Sequence, residues 1–453
     1  MKIWRIVTVL AGPLLFGHPA WAQQPDYQTG MIPAPHISLP AGKDLAAMVF
    51  LISNGQGWGE REEAQAKALV EAGAAVVGVD FPSYMRALAE DQGDCVYMIS
   101  DVEDISQQVQ RRVGNPVYRH PIVAGIGEGG ALALAMISQS PLVTIGQAVA
   151  VDPAAGIPLA KELCTPASKE NLGARTIYGF QDGPLPAEVT VALTQGADPA
   201  GVAHAQKLKQ EHPDVQIQQI PGTADAAFMN LLTEQISRGR KSDQPLELPL
   251  TVLEAAPVMN TMAVVFSGDG GWRDIDSEVG GYLQKQGIPT VGIDSLRYFW
   301  SERQPQEVAN DLSRIMSTYR RQWGVSNVIL IGYSFGADVL PAAYNLLPEA
   351  DKRRIRQISL LALSKEVDYE ISVTGWLGVA GDGKGGDTVA EIAKIDPHLV
   401  QCVYGTDEDD DPCPDLKARG VETVPIEGGH HFDEDYEALG KRIVESLLTR
   451  LKK

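Results

Sequence analysis

The chain has 453 residues, 44% apolar and 21% charged. This is ample for two or three domains with buried cores and unlike a disordered chain. A formal net charge of −20 is repelled by nucleic-acid phosphates and anionic lipid surfaces, which argues against DNA binding. Contact with a lipid must then come from an apolar patch or from a cationic head group.

In chain order, the first expected element is a leader. Lys2 and Arg5 flank the start of an apolar run from Ile6 to Phe16, and Ala20-Trp21-Ala22 places small residues at −3 and −1. This three-part layout predicts a secretory signal peptide over residues 1–22, cleaved after Ala22. The run is too short to span a bilayer comfortably, and no Cys follows the cleavage site. Loss of Lys2 and Arg5 takes the net charge to −22. The expectation is an exported, soluble protein. In an oxidising compartment, the four cysteines are expected to pair as Cys95–Cys164 and Cys402–Cys413, one bridge in each half.

The chain then repeats itself. Met48–Asp80 matches Met262–Asp294 without a gap. Ser53-Asn54-Gly55-Gln56-Gly57-Trp58 lies over Ser267-Gly268-Asp269-Gly270-Gly271-Trp272, and Val77-Gly78-Val79-Asp80 over Val291-Gly292-Ile293-Asp294. Ile122–Met136 resembles Val328–Ala342, and Ile177-Tyr178-Gly179 resembles Val403-Tyr404-Gly405. Each copy reads as apolar strand, Gly-rich loop ending in Trp, helix, apolar strand. That pattern predicts an α/β class with mainly parallel sheets flanked by helices. Two tandem α/β-hydrolase-like domains are expected, at 40–240 and 258–453, joined by a linker over 241–257.

In the second copy the predicted order is strand 261–267, helix 276–286, strand 289–293, helix 305–322 and strand 327–331. Gly332-Tyr333-Ser334-Phe335-Gly336 follows, then a helix to about Leu347. A Gly-x-Ser-x-Gly between strand and helix is the layout of a nucleophile elbow, with the serine hydroxyl on a tight turn above the sheet. Unpaired N–H groups at the start of the next helix favour an oxyanion there, so the Phe335 N–H is one expected donor. A second is expected from Asp269 or Gly270 on the Gly268–Gly271 loop. Trp272 reads either as a wall of the substrate pocket or as core. The acid should follow the strand 399–404. Asp407 is the choice, with Glu408 and Asp409 behind it. The acidic run 407–411 lacks the spacing of a calcium loop, and no metal or cofactor is expected. The base should follow the strand 421–426, where Gly428-Gly429-His430-His431 places His430 first and His431 as the alternative. In this reading His430 deprotonates Ser334 and Asp407 orients the imidazole. The segment 365–398 is weakly patterned and reads as a lid candidate.

The first copy lacks these groups. Gly127 stands where Ser334 stands, and its last strand runs into Pro221-Gly222-Thr223-Ala224 without a histidine. It is expected to pack against, shield or recruit something for the second copy, or to be a structural remnant.

Gly332-Tyr333-Ser334-Phe335-Gly336-Ala337-Asp338-Val339-Leu340-Pro341, together with Phe266–Trp272, resembles the bacterial virulence protein family VirJ/AcvB over about residues 255–453. The exported two-copy layout looks like the longer AcvB type. The resemblance implies periplasmic hydrolysis of the aminoacyl ester of lysyl-phosphatidylglycerol, and links to acid tolerance and to virulence through type IV secretion. The implied partners are an aminoacylated phospholipid met by transient membrane-surface contact, and secretion-system proteins. Asp269, Asp274 and Asp338 are candidates to pair with a lysyl ammonium. Two alternatives stand beside this: a carboxylesterase or peptidase of other specificity, and a periplasmic adaptor for secretion substrates.

Overall fold

The computed structural model describes residues 27–239, 245–371 and 385–452. The expected leader over 1–22 and the middle of the lid candidate lie outside the described residues.

Among the described residues, nine strands form in the first half. They are β1 (His36–Ser38), β2 (Ala47–Ile52), β3 (Ala74–Val79), β4 (Ile122–Ile126), β5 (Gln147–Val151), β6 (Lys169–Leu172), β7 (Arg175–Tyr178), β8 (Glu188–Leu193) and β9 (Gln216–Gln219). The second half holds β10 (Leu250–Leu253), β11 (Thr261–Phe266), β12 (Thr290–Ile293), β13 (Asn327–Tyr333), β14 (Ile355–Leu361), β15 (Glu366–Val367), β16 (Gly386–Asp387), β17 (Val400–Gly405) and β18 (Glu422–Ile426). The two seven-stranded sheets run β1-β3-β2-β4-β5-β8-β9 and β10-β12-β11-β13-β14-β17-β18. Position for position, these are the same order. In each, the first edge strand is antiparallel and the remaining pairings are parallel.

This is the expected pair of α/β-hydrolase-like domains. The sequences of β2 and β11, Ala-Met-Val-Phe-Leu-Ile and Thr-Met-Ala-Val-Val-Phe, are buried at every position. A parallel strand covered by helices on both faces has no solvent side, so it shows no polar alternation. Helix boundaries follow local chemistry. The helix Pro305–Trp323 starts with Pro at its first position and a Gln304/Glu307 capping box, and ends at Gly324 with φ 66°.

Two expectations need correction. β10 lies inside the expected linker 241–257 and pairs with β12, so the second sheet begins earlier than the apolar pattern indicates. Its counterpart β1 likewise precedes residue 40. Strands of three or four residues at a sheet edge are too short to show a period. Ile177-Tyr178 does not correspond to Val403-Tyr404: it sits in the separate β6–β7 hairpin, whereas the sheet position of β17 is taken by β8.

The two halves are knitted together. Tyr118 of the first is buried in the apolar cluster of the second, its ring 4.8 Å from that of Trp300. The Trp300 indole N–H donates to the Asn115 carbonyl at 2.9 Å, and the Arg111 guanidinium lies 3.7 Å from the Trp300 ring. Arg111 also donates to the carbonyls of Trp300 and Ile371. Among the described residues no helix is long and apolar enough to cross a membrane.

Both expected disulfides form, Cys95–Cys164 and Cys402–Cys413. They close sequence separations of 69 and 11 residues. Loop-closure entropy gives about 4 kcal/mol for the first and about 3 for the second. Replacing Cys95 and Cys164 together by Ser should therefore lower the urea midpoint more than replacing Cys402 and Cys413, followed by circular dichroism.

Candidate active site

β13 ends at Tyr333, and the helix Phe335–Asn345 begins one residue later. Ser334 makes the connection at φ 50°, ψ −121°. Such a backbone costs a non-glycine residue on the order of 1–3 kcal/mol and persists only when its surroundings enforce it. Here they do. A Cβ on Gly332 would lie 2.3 Å from the Gly336 carbonyl oxygen, and one on Gly336 would lie 2.2 Å from that of Phe266. The Ser334 N–H donates to the Leu361 carbonyl at 2.9 Å, and its own carbonyl accepts from Ala337 and Asp338 at 2.8 and 3.1 Å.

The structure brings Ser334 and His430 together. Ser334 Oγ is 2.9 Å from His430 Nε2. On the far side of the ring, Nδ1 is 2.8 Å from Glu408 Oε1. With the Nδ1–H donated to the carboxylate, Nε2 is left to accept the serine proton. His431 does not share this position; its Nδ1 lies 3.3 Å from the Tyr333 hydroxyl.

The carboxylate that meets the imidazole is Glu408, not Asp407. Both follow β17, which closes in a turn where Glu408 N–H donates to the Gly405 carbonyl and Asp407 N–H to that of Gly428. The turn leaves Asp407 at its exposed tip and swings Glu408 back over the imidazole. One residue of phase in a loop decides this, and apolar periodicity does not report it. Asp409 is also exposed.

Residues Gly268–Gly271, Arg273–Asp276, Tyr333, Ser334, His430 and His431 line a cleft of about 330 Å3. A Cβ on Gly268 would lie 3.8 Å from that of Ser334, so the Gly-rich loop sits beside the elbow as expected. The N–H groups of Gly268 and Gly271 are used, by Asp276 Oδ2 at 3.3 Å and the Gly268 carbonyl at 3.1 Å. Those of Asp269, Gly270 and Phe335 have no hydrogen-bond acceptor among the described residues, leaving them for an oxyanion. The first half shows where such a donor points. Gly55, the counterpart of Asp269, donates its N–H to the Glu128 carboxylate at 3.3 Å. Glu128 directly follows Gly127, the counterpart of Ser334. That half places its own anion on the loop and holds it with Arg175 at 3.2 Å. Gly127 keeps the turn at φ 61°, ψ −117° without a hydroxyl.

Trp272 is core and not a pocket wall: it is 3% exposed and its ring packs on Gly280 and Gly292. Asp338 does not line the cleft. It is buried in the helix after the elbow, where it accepts from Ser364 N–H at 2.8 Å. Asp269 and Asp274 do line the cleft, joined by Asp276. Burial pushes the Asp276 carboxyl well above the usual range, and its Oδ2 accepts from the Gly268 N–H at 3.3 Å. Asp276 and Arg273 carry no motif, whereas Glu408 stands behind Asp407 in the acidic run after the strand 399–404.

Residues 260–451 match the model of a family described as VirJ, bacterial virulence protein. The match falls within the second domain. Among solved structures the chain resembles Est1E from Butyrivibrio proteoclasticus, with 15% identity, 46% of this chain and 98% of that one covered, and a TM-score of 0.34. It also resembles the alpha/beta hydrolase GrgF from Penicillium sp. sh18, with 12% identity, 45% and 93% covered, and a TM-score of 0.34. A third is proline iminopeptidase from Mycobacterium smegmatis, with 10% identity, 45% and 94% covered, and a TM-score of 0.30. No curated protein matches the chain.

In the second domain, Glu408→Gln should reduce kcat for ester hydrolysis by about 10³–10⁴, the scale for losing the group that sets the imidazole tautomer. Asp407→Asn should stay within about twofold, by steady-state kinetics. A separate effect concerns stability. Burial raises the Asp338 pKa to about 8. A carboxyl raised on folding binds more protons folded than unfolded between those two values, so its contribution is complete in acid and is lost as pH rises toward 8. Melting temperature should fall from pH 5 to pH 8, and Asp338→Asn, which keeps an acceptor for Ser364, should flatten that fall.

Proposed function

We propose that the protein is an exported serine hydrolase that cleaves the aminoacyl ester of lysyl-phosphatidylglycerol in the periplasm. The observation that carries the hydrolase reading is the continuous relay Ser334 Oγ–His430 Nε2 at 2.9 Å and His430 Nδ1–Glu408 Oε1 at 2.8 Å. A serine hydroxyl is a weak nucleophile until a neighbouring base takes its proton. The export reading rests on the leader expected over residues 1–22, and the substrate on what the family resemblance implies and on charge. Asp269 and Asp274 line the cleft, in a chain of net charge −20, and favour a dicationic lysyl group over an anionic acyl group.

The steps follow from the geometry. His430 accepts the Ser334 proton as Oγ attacks the lysyl carbonyl carbon. The carbonyl oxygen becomes an oxyanion facing the N–H groups of Phe335 and of Asp269 or Gly270. His430 then protonates the glycerol oxygen, phosphatidylglycerol leaves, and a lysyl ester remains on Ser334. Water, deprotonated by His430, attacks the ester carbonyl carbon, and His430 returns the proton to Ser334 Oγ as the C–Oγ bond breaks and lysine leaves. Glu408 stabilises the imidazolium in both halves without itself taking a proton.

A fluorophosphonate probe should label the purified protein, and Ser334→Ala should abolish the labelling. Wild-type protein should release lysine from vesicles containing lysyl-phosphatidylglycerol, and Ser334→Ala should not. Labelling that persists in the variant defeats the assignment of Ser334. Labelling without lysine release leaves a carboxylesterase or peptidase of other specificity. Absence of both favours the adaptor reading.

A further inference from the structure

We propose that the first domain is a working part of the second domain's active site, with Glu103 as a positioning residue that acts through Arg273 on the oxyanion loop. This rests on the hydrolase reading above. Glu103 lies on the helix Ile99–Val113 of the first domain, its side chain only 8% exposed. Both its carboxylate oxygens accept from Arg273 Nη1, at 3.0 and 3.1 Å, and Thr144 Oγ1 of the same domain accepts from that nitrogen at 3.2 Å. Arg273 begins the helix that follows the Gly268–Gly271 loop. Its guanidinium lies against the loop backbone: a Cβ on Gly270 would be 2.8 Å from both Nε and Nη2. The loop is therefore supported on two sides, by the Asp276 carboxyl under Gly268 and by a guanidinium anchored across the domain boundary.

Two features give this brace a catalytic meaning. Asp269 and Gly270, the residues it supports, are those whose N–H groups have no acceptor among the described residues, beside Ser334. Donors for an oxyanion act by being held in place before charge develops, so a loop that drifts loses rate and not substrate affinity. The brace is also confined to the domain with the serine. At the constant offset of the repeat, Arg273 corresponds to Gly59, and there the loop N–H is occupied by the protein's own Glu128. Burial alone works against both charges. Burial prevails at Glu103, whose carboxyl stands above its ordinary value, whereas at Arg273 the Glu103 and Asp274 carboxylates more than offset it and raise the pKa. The guanidinium is thus held as a charged, directional clamp.

The test uses the full chain with Glu103→Ala, Glu103→Gln and Arg273→Ala. It reads p-nitrophenyl butyrate hydrolysis, hydrogen–deuterium exchange in peptides covering residues 268–273, and the melting temperature. For Glu103→Ala, kcat is expected to fall by about tenfold or more with KM within about twofold, the scale of a small misplacement near the reacting atoms. Amide exchange in the loop should rise, and Glu103→Gln, which keeps an acceptor oxygen, should recover part of both. Arg273→Ala should lose as much, and the double variant no more. If Glu103→Ala does not fold, Glu103→Gln alone decides by the same readouts. Folded variants with unchanged kcat, or with lowered kcat and unchanged exchange at 268–273, overturn the proposal. If the wild-type protein turns over no ester and resists fluorophosphonate, the hydrolase reading falls. Exchange still decides the brace in that case, and unchanged exchange overturns it.

Discussion

The structure turns on one backbone conformation, the positive-φ residue between β13 and its helix. A serine held there cannot relax into the strand or the helix, so its hydroxyl projects above the sheet edge. The conformation is enforced by contacts so close that side chains at Gly332 and Gly336 would overlap backbone atoms. Everything else in the cleft is arranged around that fixed point: the Gly-rich loop on one side, the imidazole above it, and the start of the helix behind it.

The internal duplication separates the cost of that turn from its use. Both copies keep it, with φ and ψ within about 11° of one another. In the first copy a glycine occupies it at no steric cost, and the following glutamate answers the loop N–H with a built-in anion. In the second copy a serine bears the strain and the N–H groups are left open. The fold is common to both; the difference is whether the anion site is filled from within or left for a substrate.

The two copies are also not independent. Tyr118 completes the core of the second domain, Trp300 is capped by Arg111 and Asn115, and Arg273 is gripped by Glu103 and Thr144. A domain without a nucleophile therefore still shapes the surroundings of one. This is a physical reason for a chain to retain it.

The sequence by itself determined the order of the apolar strands and the helices between them, the repeat, the elbow at Ser334 and the histidine pair after the last strand. These are local signals: fully apolar strands, glycines where backbones must touch, and catalytic groups at strand ends in a set order. The tertiary structure decided the rest. Turn closure after β17 selects Glu408 over Asp407, and ring packing on Gly292 makes Trp272 core. Burial removes Asp338 from the cleft, and β1 and β10 become strands only by pairing with β3 and β12. Glu103 meets Arg273 across 170 positions of chain. Such choices depend on where a side chain points after distant segments have packed, and no periodicity along the chain records that.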